Sequence, residues 1–583
     1  MNTFDWVVLI LTQLLIVGYG LWKSRGGGRN MKGYLLGNNE MKWFTIGLSI
    51  MATQASAITF LSAPGLGYDD GMRFVQFYFG LPLAMVVISA VIVPIYRRLS
   101  VFTAYEYLEK RFDLRTRALA AFLFLLQRGL AAGFTIFAPS LILSTLLGWN
   151  IYWTNFFTGL VVIIYTVTGG TKAVSQTQKV QMGVILVGMA IAGYMVISKL
   201  PTGVSFGDAV GLAGKMGKLN VVDFKVDLTT KYNFWSGIIG GFFLALSYFG
   251  TDQSQVQRYL GGQSTAQSRL GLLFNGMIKI PMQFAILFVG AMLFVFYMFN
   301  APPISFKGNL VKNARKSVYQ HDFRDLELQY QDVATRKKNL ALAIVEADQK
   351  NDPQSRQEAV EYLRKTEQQA QYIKELSNEL MLKIDNTTDT NDTNYIFITY
   401  VMDFLPIGLV GLLVSVIISA SMSSTASELN ALASTTVIDV YKRMIRPNGT
   451  DQDYLRMSKI LTIAWGLYAI VLSMFANRLG ALIEAVNLIG SLVYGTILGI
   501  FLVAFFLKKV GAKEVFWAGI FAELLVIYCH TSKYIHGFFA EQGVEVGWIF
   551  PKIQIPFLWY NVIGCLPLIF VAWLLHKARV FRR

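Results

Sequence analysis

Ala420-Ser421-Met422-Ser423-Ser424-Thr425-Ala426-Ser427-Glu428-Leu429-Asn430 comes almost directly after Leu412-Leu413-Val414-Ser415-Val416-Ile417-Ile418, and reading the two pieces together decides the fold. The earlier piece is nearly all apolar. The later one holds hydroxyls, an acid and an amide while, by length, the chain is still inside a membrane span. Such groups are costly at that depth unless they face a cavity or a partner. Ser and Thr oxygens are hard ligands, suited to a hard cation such as Na⁺. Helix packing through small residues, with hydroxyls as interhelical glue, gives the same composition. The rest of the chain weighs between the two.

The chain has 583 residues, of which 54% are hydrophobic and 15% charged. Its mean hydropathy is +0.46. Soluble domains carry about 25% charged residues. Apolar runs near twenty residues recur, the length of a membrane-spanning helix. The class is therefore all-α, polytopic and embedded in a lipid bilayer. The alternating ten-residue segments of a membrane β-barrel are absent. The net charge is +16, which invites a nucleic-acid reading. Here the cations sit in short loops between spans, where cytoplasmic loop bias explains them, and no nucleic-acid partner is expected. Cys529 and Cys565 lie in or near apolar spans and suggest neither a disulfide framework nor a metal site. No nucleophile–base or metal-ligand cluster points to an enzyme.

The expected spans are 4–22, 43–66, 74–96, 117–147, 152–169, 180–199, 234–253, 268–299, 396–440, 457–476, 481–507, 514–531 and 555–576, about thirteen by length and hydropathy. The 396–440 segment is too long for one simple span and is expected to tilt or to carry an extra broken piece. No basic residue precedes the first apolar run, and Lys23, Arg25, Arg29 and Lys32 follow it. It reads as an uncleaved helix with its N-terminus outside. The inner loops then hold Lys23 to Lys42, Arg97-Arg98, Lys110 to Arg117, Lys172, Lys179, Arg258, Arg269, Lys442-Arg443-Arg446, Lys508-Lys509-Lys513 and Lys577 to Arg583. Short outer loops near 148–151 and 477–480 hold almost none. This alternation predicts a plasma (inner) membrane protein with a cytoplasmic C-terminus.

Residues 300–394 interrupt the pattern. Apolar residues recur at helical spacing at Leu340, Ile344 and Val345, then at Val360, Leu363, Ile373, Leu376 and Leu380. Asn351-Asp352-Pro353 breaks the run between them. The expectation is an extracytoplasmic helical hairpin, a structural appendage or the docking place of a periplasmic partner. Asn386 and Asn391 follow in a loop and match the glycosylation acceptor pattern.

Two spans carry polar breaks. The second reads Leu48 to Gly65 through Thr53, Gln54, Ser56, Thr59 and Ser62, ending in Pro64-Gly65. The seventh reads Ala245-Leu246-Ser247-Tyr248-Phe249-Gly250-Thr251-Asp252-Gln253. Non-helical backbone at membrane depth survives where it lines a cavity or is buried in protein. Broken helices of this kind build the midplane sites of secondary transporters. Setting the opening helix aside, the breaks fall on the first and sixth spans, the spacing of two five-helix inverted repeats.

At these residues the chain resembles the sodium:solute symporter family, the group of the sodium/glucose cotransporters. The matching pieces are Thr103 to Phe112 (TAYEYLEKRF), Thr168 to Val174 (TGGTKAV), Thr251-Asp252-Gln253 with Gln257-Arg258, and Ala420 to Lys442. The resemblance covers nearly everything outside 300–394. It implies the leucine-transporter type of five-plus-five inverted repeat, with alternating access. On that plan 1–42 is an extra N-terminal helix and loop. Residues 43–299 hold the first repeat and the start of the second, 395–507 the remainder of the second, and 508–583 two C-terminal helices. The resemblance implies a sodium site at the carbonyls of Ala52, Ala55 and Ala420 and the hydroxyls of Ser423 and Ser424. It gives Tyr248 the place of the aromatic that covers the substrate from the inner side. Members using a second sodium often carry Asp where this chain has Gln178. A single Na⁺ per solute is the expectation, with Glu428, one turn beyond Ser424, as a candidate second ion or proton site or as the partner of a nearby Arg or Lys.

Lys279 matches a lysine that contacts sugar in sugar-carrying relatives, and Asn487 falls near another such position. Thr59, Tyr78 and Ala245, however, stand where a hexose carrier has amides or acids. Ser56, Thr59 and intramembrane Arg128 suit a carboxylate instead, through the planar guanidinium; a structural charge paired inside the bundle is the other reading of Arg128. Sugar, sialic acid and other organic anions all remain open as the solute. The expected function is Na⁺-driven symport of a small polar solute. A proton-coupled or uncoupled carrier, and a membrane sensor built on a transporter-like domain, are the alternatives.

Overall fold

A computed structural model describes residues 1–23, 31–476, 481–541, 551 and 553–581. The N-terminal part comprises α1 (Thr3–Lys23), the short α2 (Met31–Leu36), α3 (Trp43–Gln54) and α4 (Ala57–Asp69). Then come α5 (Gly71–Leu99), of mixed 3₁₀, α and π turns, α6 (Leu114–Leu147), α7 (Ile151–Ser198) and α8 (Phe206–Lys215). A π turn leads into α9 (Gly241–Thr251), followed by α10 (Gln253–Leu260) and α11 (Thr265–Phe299). The insertion is α12 (Gln320–Gln349) and α13 (Pro353–Ile384). The chain re-enters the bundle with α14 (Thr393–Phe404) and α15 (Leu409–Thr435), which runs on as a π-helix to Ile445. It finishes with α16 (Asp451–Ser473), α17 (Leu482–Phe506), α18 (Ala512–Glu541) and α19 (Tyr560–Phe581).

Among the described residues, nine helical stretches are each long and apolar enough to cross a membrane, and α3 with α4, bent by 61° at their break, make a tenth when counted as one span. Shorter apolar helices cover Thr3–Tyr19, Ile151–Ile164 and Ser236–Thr251. α15 lies at the centre, packed on α1, α6 and α7, while α11 runs along α3 and α4.

Several boundaries differ from the sequence reading. The break in the second span falls at Ala55–Ser56, where Ala55 has ψ 73° and Ser56 ψ 174°, and Pro64-Gly65 lies inside α4. Pro64 is tolerated because neighbouring helices close around it: a Cβ on Gly290 would stand 2.0 Å from the Pro64 carbonyl oxygen. The loop expected between 169 and 180 is helical. The chain turns within α7 at Gly170, whose φ of 58° and ψ of −177° suit glycine. Lys172 and Lys179 therefore sit on a helix. Arg258 lies buried in α10 and Arg117 is buried in an ion pair with Asp439 at 2.6 Å, so charge alone misplaced both in loops. The overlong 396–440 segment is resolved by a break at Leu405–Gly408, where Gly408 takes φ +91°. There Asp5 Oδ1 accepts the Gly408 and Gly411 amides at 2.6 and 3.3 Å. Arg25, Arg29 and the outer loop near 477–480 lie outside the described residues.

The insertion folds as two long helices joined by a turn at Lys350–Asp352. Asp352 caps α13 by accepting the amides of Gln354 and Ser355 at 3.1 and 3.2 Å. The pair docks on the end of the bundle where α4 stops. Thr393 Oγ1 donates to Asp69 at 2.6 Å, Lys374 pairs with Asp392 at 2.9 Å, and Lys215 pairs with Asp348. Burial works against the Lys374 ammonium, but Asp392 and Asp69 outweigh it and hold its pKa above the ordinary lysine value.

Candidate functional site

The break at Ala55–Ser56 frees the last carbonyls of α3 from helical hydrogen bonding. α15 brings its hydroxyls to that point. Ser424 Oγ donates within reach of Ala52 O at 3.2 Å and Ala420 O at 3.1 Å. Ser423 Oγ is fully buried and has no hydrogen-bond partner among the described residues. Ala52, Ala420 and Ser424 are thus in direct contact across the two helices. Ala55 sits at the break itself, and Ser423 is the next residue along. A cluster of neutral oxygens with one unused hydroxyl fits a hard monovalent cation.

Gln178, on α7, forms the next layer. Its Oε1 accepts from Ser49 Oγ at 2.5 Å. Its Nε2 donates to Ser427 Oγ at 2.8 Å, Thr53 Oγ1 at 3.1 Å and Ser423 O at 3.3 Å. The amide is committed at both ends.

One turn further along α15 the chemistry changes. Arg128, from α6, donates to Glu428 Oε1 at 3.0 Å and to Tyr494 OH at 2.6 Å, and also pairs with Asp252 at the α9–α10 break. Thr135 Oγ1 donates to the other Glu428 oxygen at 3.1 Å, and Tyr494 OH to Asp252 at 2.8 Å. All three charged groups are buried. One cation faces two anions, so the triad carries one formal negative charge. The Arg128 guanidinium also lies 5.4 Å from the Tyr248 ring centroid.

A small cavity of about 80 Å³ opens beside the triad; a single water needs roughly 10–15 Å³. Ser56, Thr59, Tyr78, Tyr248, Asn487, Arg128 and Glu428 all line it. Lys279 does not. It lies behind Tyr78, with Nζ fully buried, unpartnered and 5.3 Å from the Tyr78 ring centroid. Sequence reasoning passed over three amides, Gln127, Asn275 and Gln283, and named Gln54 only as part of a polar break. Gln54 and Gln127 line the cavity, each with a buried, unpartnered Oε1. Asn275 and Gln283 stand one turn either side of Lys279, fully buried, with no partner on either amide atom. Their signal was an amide inside an otherwise apolar span. Among the described residues there is no cluster of His, Cys, Asp and Glu fit for a transition metal.

The sodium:solute symporter family model matches residues 34–316 and 383–522. The human sodium/iodide cotransporter is 33% identical over 303 residues, 51% of this chain and 46% of that protein. Sodium-coupled monocarboxylate transporter 1 of Xenopus laevis is 30% identical over 276 residues, 47% of this chain and 44% of that protein. Both matches thus span about half of the relative's length. The human form of that monocarboxylate transporter is 26% identical over 528 residues, 90% of this chain and 73% of the relative. Among solved structures, a Na⁺-coupled sialic acid symporter in a substrate-bound outward-open state superposes with a TM-score of 0.72 at 20% identity, covering 99% of this chain and 98% of that one. The fold is of the leucine-transporter type, and with the family model matching most of its length, the chain belongs to the sodium:solute symporter family.

Proposed function

We propose that this protein couples uptake of a small polar organic solute to Na⁺ moving down its electrochemical gradient, by alternating access. The observation that carries this reading is the meeting of Ser424 Oγ with the Ala52 and Ala420 carbonyls across the broken helix. Na⁺ travels as cargo, held by the Ala52, Ala55 and Ala420 carbonyls and the Ser423 and Ser424 hydroxyls. Bound there, it ties α15 to the hinge of α3 and α4 and favours the state whose cavity accepts solute. The membrane potential contributes about 2.3 kcal/mol per charge per 100 mV. We assign one Na⁺ per solute, because Gln178 offers a committed neutral amide where a second ion would want a carboxylate. The lysine-rich loops face the cytoplasm and the N-terminus and hairpin lie outside.

The solute faces Ser56, Thr59, Tyr78, Tyr248 and Asn487. A small organic anion suits the tight cavity, and monocarboxylate and sialic acid carriers are among the similar proteins. Arg128 is engaged by Asp252 and Glu428, so its role is to brace the cavity wall rather than to grip the carboxylate. A sugar is the second reading, supported by Asn487 on the cavity wall. Proton coupling is the rival mechanism, with Glu428, buried on the cavity wall, as the candidate proton carrier. The test is thermal stabilisation of the purified protein by carboxylates and sugars, with and without Na⁺, repeated in Ser424→Ala. Stabilisation that needs Na⁺ and loses that need in the variant supports the reading. Solute stabilisation indifferent to Na⁺ overturns it.

A further inference from the structure

The ends of α17 and α19 frame a groove remote from the solute cavity. Higher up, the two helices are locked together. A Cβ on Gly495 would stand 2.6 Å from Asn561 O, and one on Gly564 would stand 2.8 Å from the Thr496 amide nitrogen. Asn561 Nδ2 donates to Ser491 Oγ at 3.0 Å. Towards their ends, Phe506 and Trp573 replace the glycines, and the close crossing gives way to a groove of about 650 Å³.

The groove has two chemical halves. Its floor is apolar and open: Phe506 is 59% exposed and Trp573 39%. Its rim carries Lys508, Lys509 and Lys577, and no acid lines it. Lys577 Nζ sits 4.6 Å from the Trp573 ring centroid. Glu514, the nearby acid on α18, is engaged by Arg579 at 2.9 Å. The lysines follow directly on an apolar span, so the rim lies at headgroup depth and the floor at the top of the acyl chains.

We infer that this groove binds a phospholipid with an anionic headgroup, from the leaflet on the lysine-rich face. The phosphate meets the lysines and the acyl chain lies on Phe506 and Trp573. A free phosphate ion would use only the rim, and a neutral lipid only the floor. Trp573, His576 and Lys577 lie beyond residue 522, where the family match ends, while 506–510 lie within it, so the site gives the last helix a task of its own. It also grips the foot of α17, which carries Asn487 and Tyr494 into the solute cavity, so the lipid is placed to bias that helix. The inference stands independently of the symport reading.

The test titrates the purified full chain in detergent with phosphatidylglycerol, phosphatidylcholine and, separately, inorganic phosphate. Bound lipid is counted by native mass spectrometry and the unfolding temperature is followed. Phosphatidylglycerol is expected to be retained and to raise the unfolding temperature, while the other two do neither. The combined Lys508→Gln, Lys509→Gln, Lys577→Gln variant changes only exposed side chains and is expected to bind phosphatidylglycerol at least tenfold more weakly. Trp573→Ala is expected to weaken it as well, through the floor. A control variant, Lys42→Gln with Lys110→Gln, removes cations elsewhere on the same face and is expected to change binding less than twofold. Equal loss in the control, undiminished binding in the lysine variant, or equal stabilisation by phosphate overturns the inference.

Discussion

Ser424 and Glu428 stand one turn apart on α15, yet they anchor opposite kinds of polar cluster. Around Ser424 every group is neutral: carbonyls, hydroxyls and the Gln178 amide. Around Glu428 two carboxylates share one guanidinium. The neutral cluster leaves Ser423 Oγ unpartnered and so leaves room for an arriving ion. The charged cluster already holds, within the chain, a cation that both its carboxylates share. An unpartnered buried dipole costs about 1–3 kcal/mol, which an arriving ion can offset, whereas removing one partner of a buried ion pair costs about 3–5 kcal/mol. On the proposed reading, the difference separates a part built for ion traffic from a part built to hold its shape.

The strongest way to break this comparison is Arg128→Ala. It leaves two buried carboxylates without their cation and is expected to cost about 3–5 kcal/mol, read as unfolding in detergent. Arg128→Lys is expected to recover only part, since an ammonium lacks the planar fork that reaches Asp252, Glu428 and Tyr494 together. A variant as stable as the parent would mean that Arg128 is free for the solute. Ser424→Ala comes next. Its Na⁺ half-saturation is expected to rise at least tenfold, about 1.4 kcal/mol, with stability in the absence of Na⁺ shifting by about 1 kcal/mol or less. Gln178→Asp sharpens the contrast by placing a charge in the neutral cluster. The Na⁺ dependence of solute binding is expected to steepen from a Hill coefficient of about one towards two; an unchanged slope would show that charge there does not recruit an ion. Thr135→Val, which removes the hydroxyl on Glu428 Oε2, should cost about 1 kcal/mol and leave Na⁺ dependence unaltered, and a large shift in that dependence would merge the two clusters into one site.

How much of this was legible in the sequence depended on range. The polar run at Ala420–Asn430 announced itself, because hydroxyls inside an apolar span need a reason. So did the hairpin, whose helical apolar spacing and Asn351-Asp352-Pro353 break are local signals. The position of the first helix break was not. Proline drew the eye to Pro64-Gly65, but the turn at Ala55–Ser56 is held by packing against α15 and has no breaker residue of its own. The break at Gly170 was hidden in a glycine pair that reads equally well as a loop. The Arg128 triad joins residues 124 and 300 positions apart, and no spacing rule reaches that far. Gln127, Asn275 and Gln283 were visible as amides in apolar spans, yet a single amide looks the same whether it faces a neighbour, water or a solute.

The clasp between α1 and α15 has a consequence for how the protein is made. Asp5 bonds an amide 403 positions later in the chain, and Gln13 reaches Ser415 and Ser419. At about 5–20 residues per second, the ribosome delivers Gly408 some 20–80 s after Asp5. Through that interval the first helix must wait in the bilayer with Asp5 Oδ1 and the Gln13 amide lacking these partners, Asp5 Oδ2 alone being held by the Asn2 amide. Its docking is therefore a late event of biogenesis, and a lesion at Asp5 would surface as slow assembly and proteolysis of young chains before it touched the work of the finished molecule.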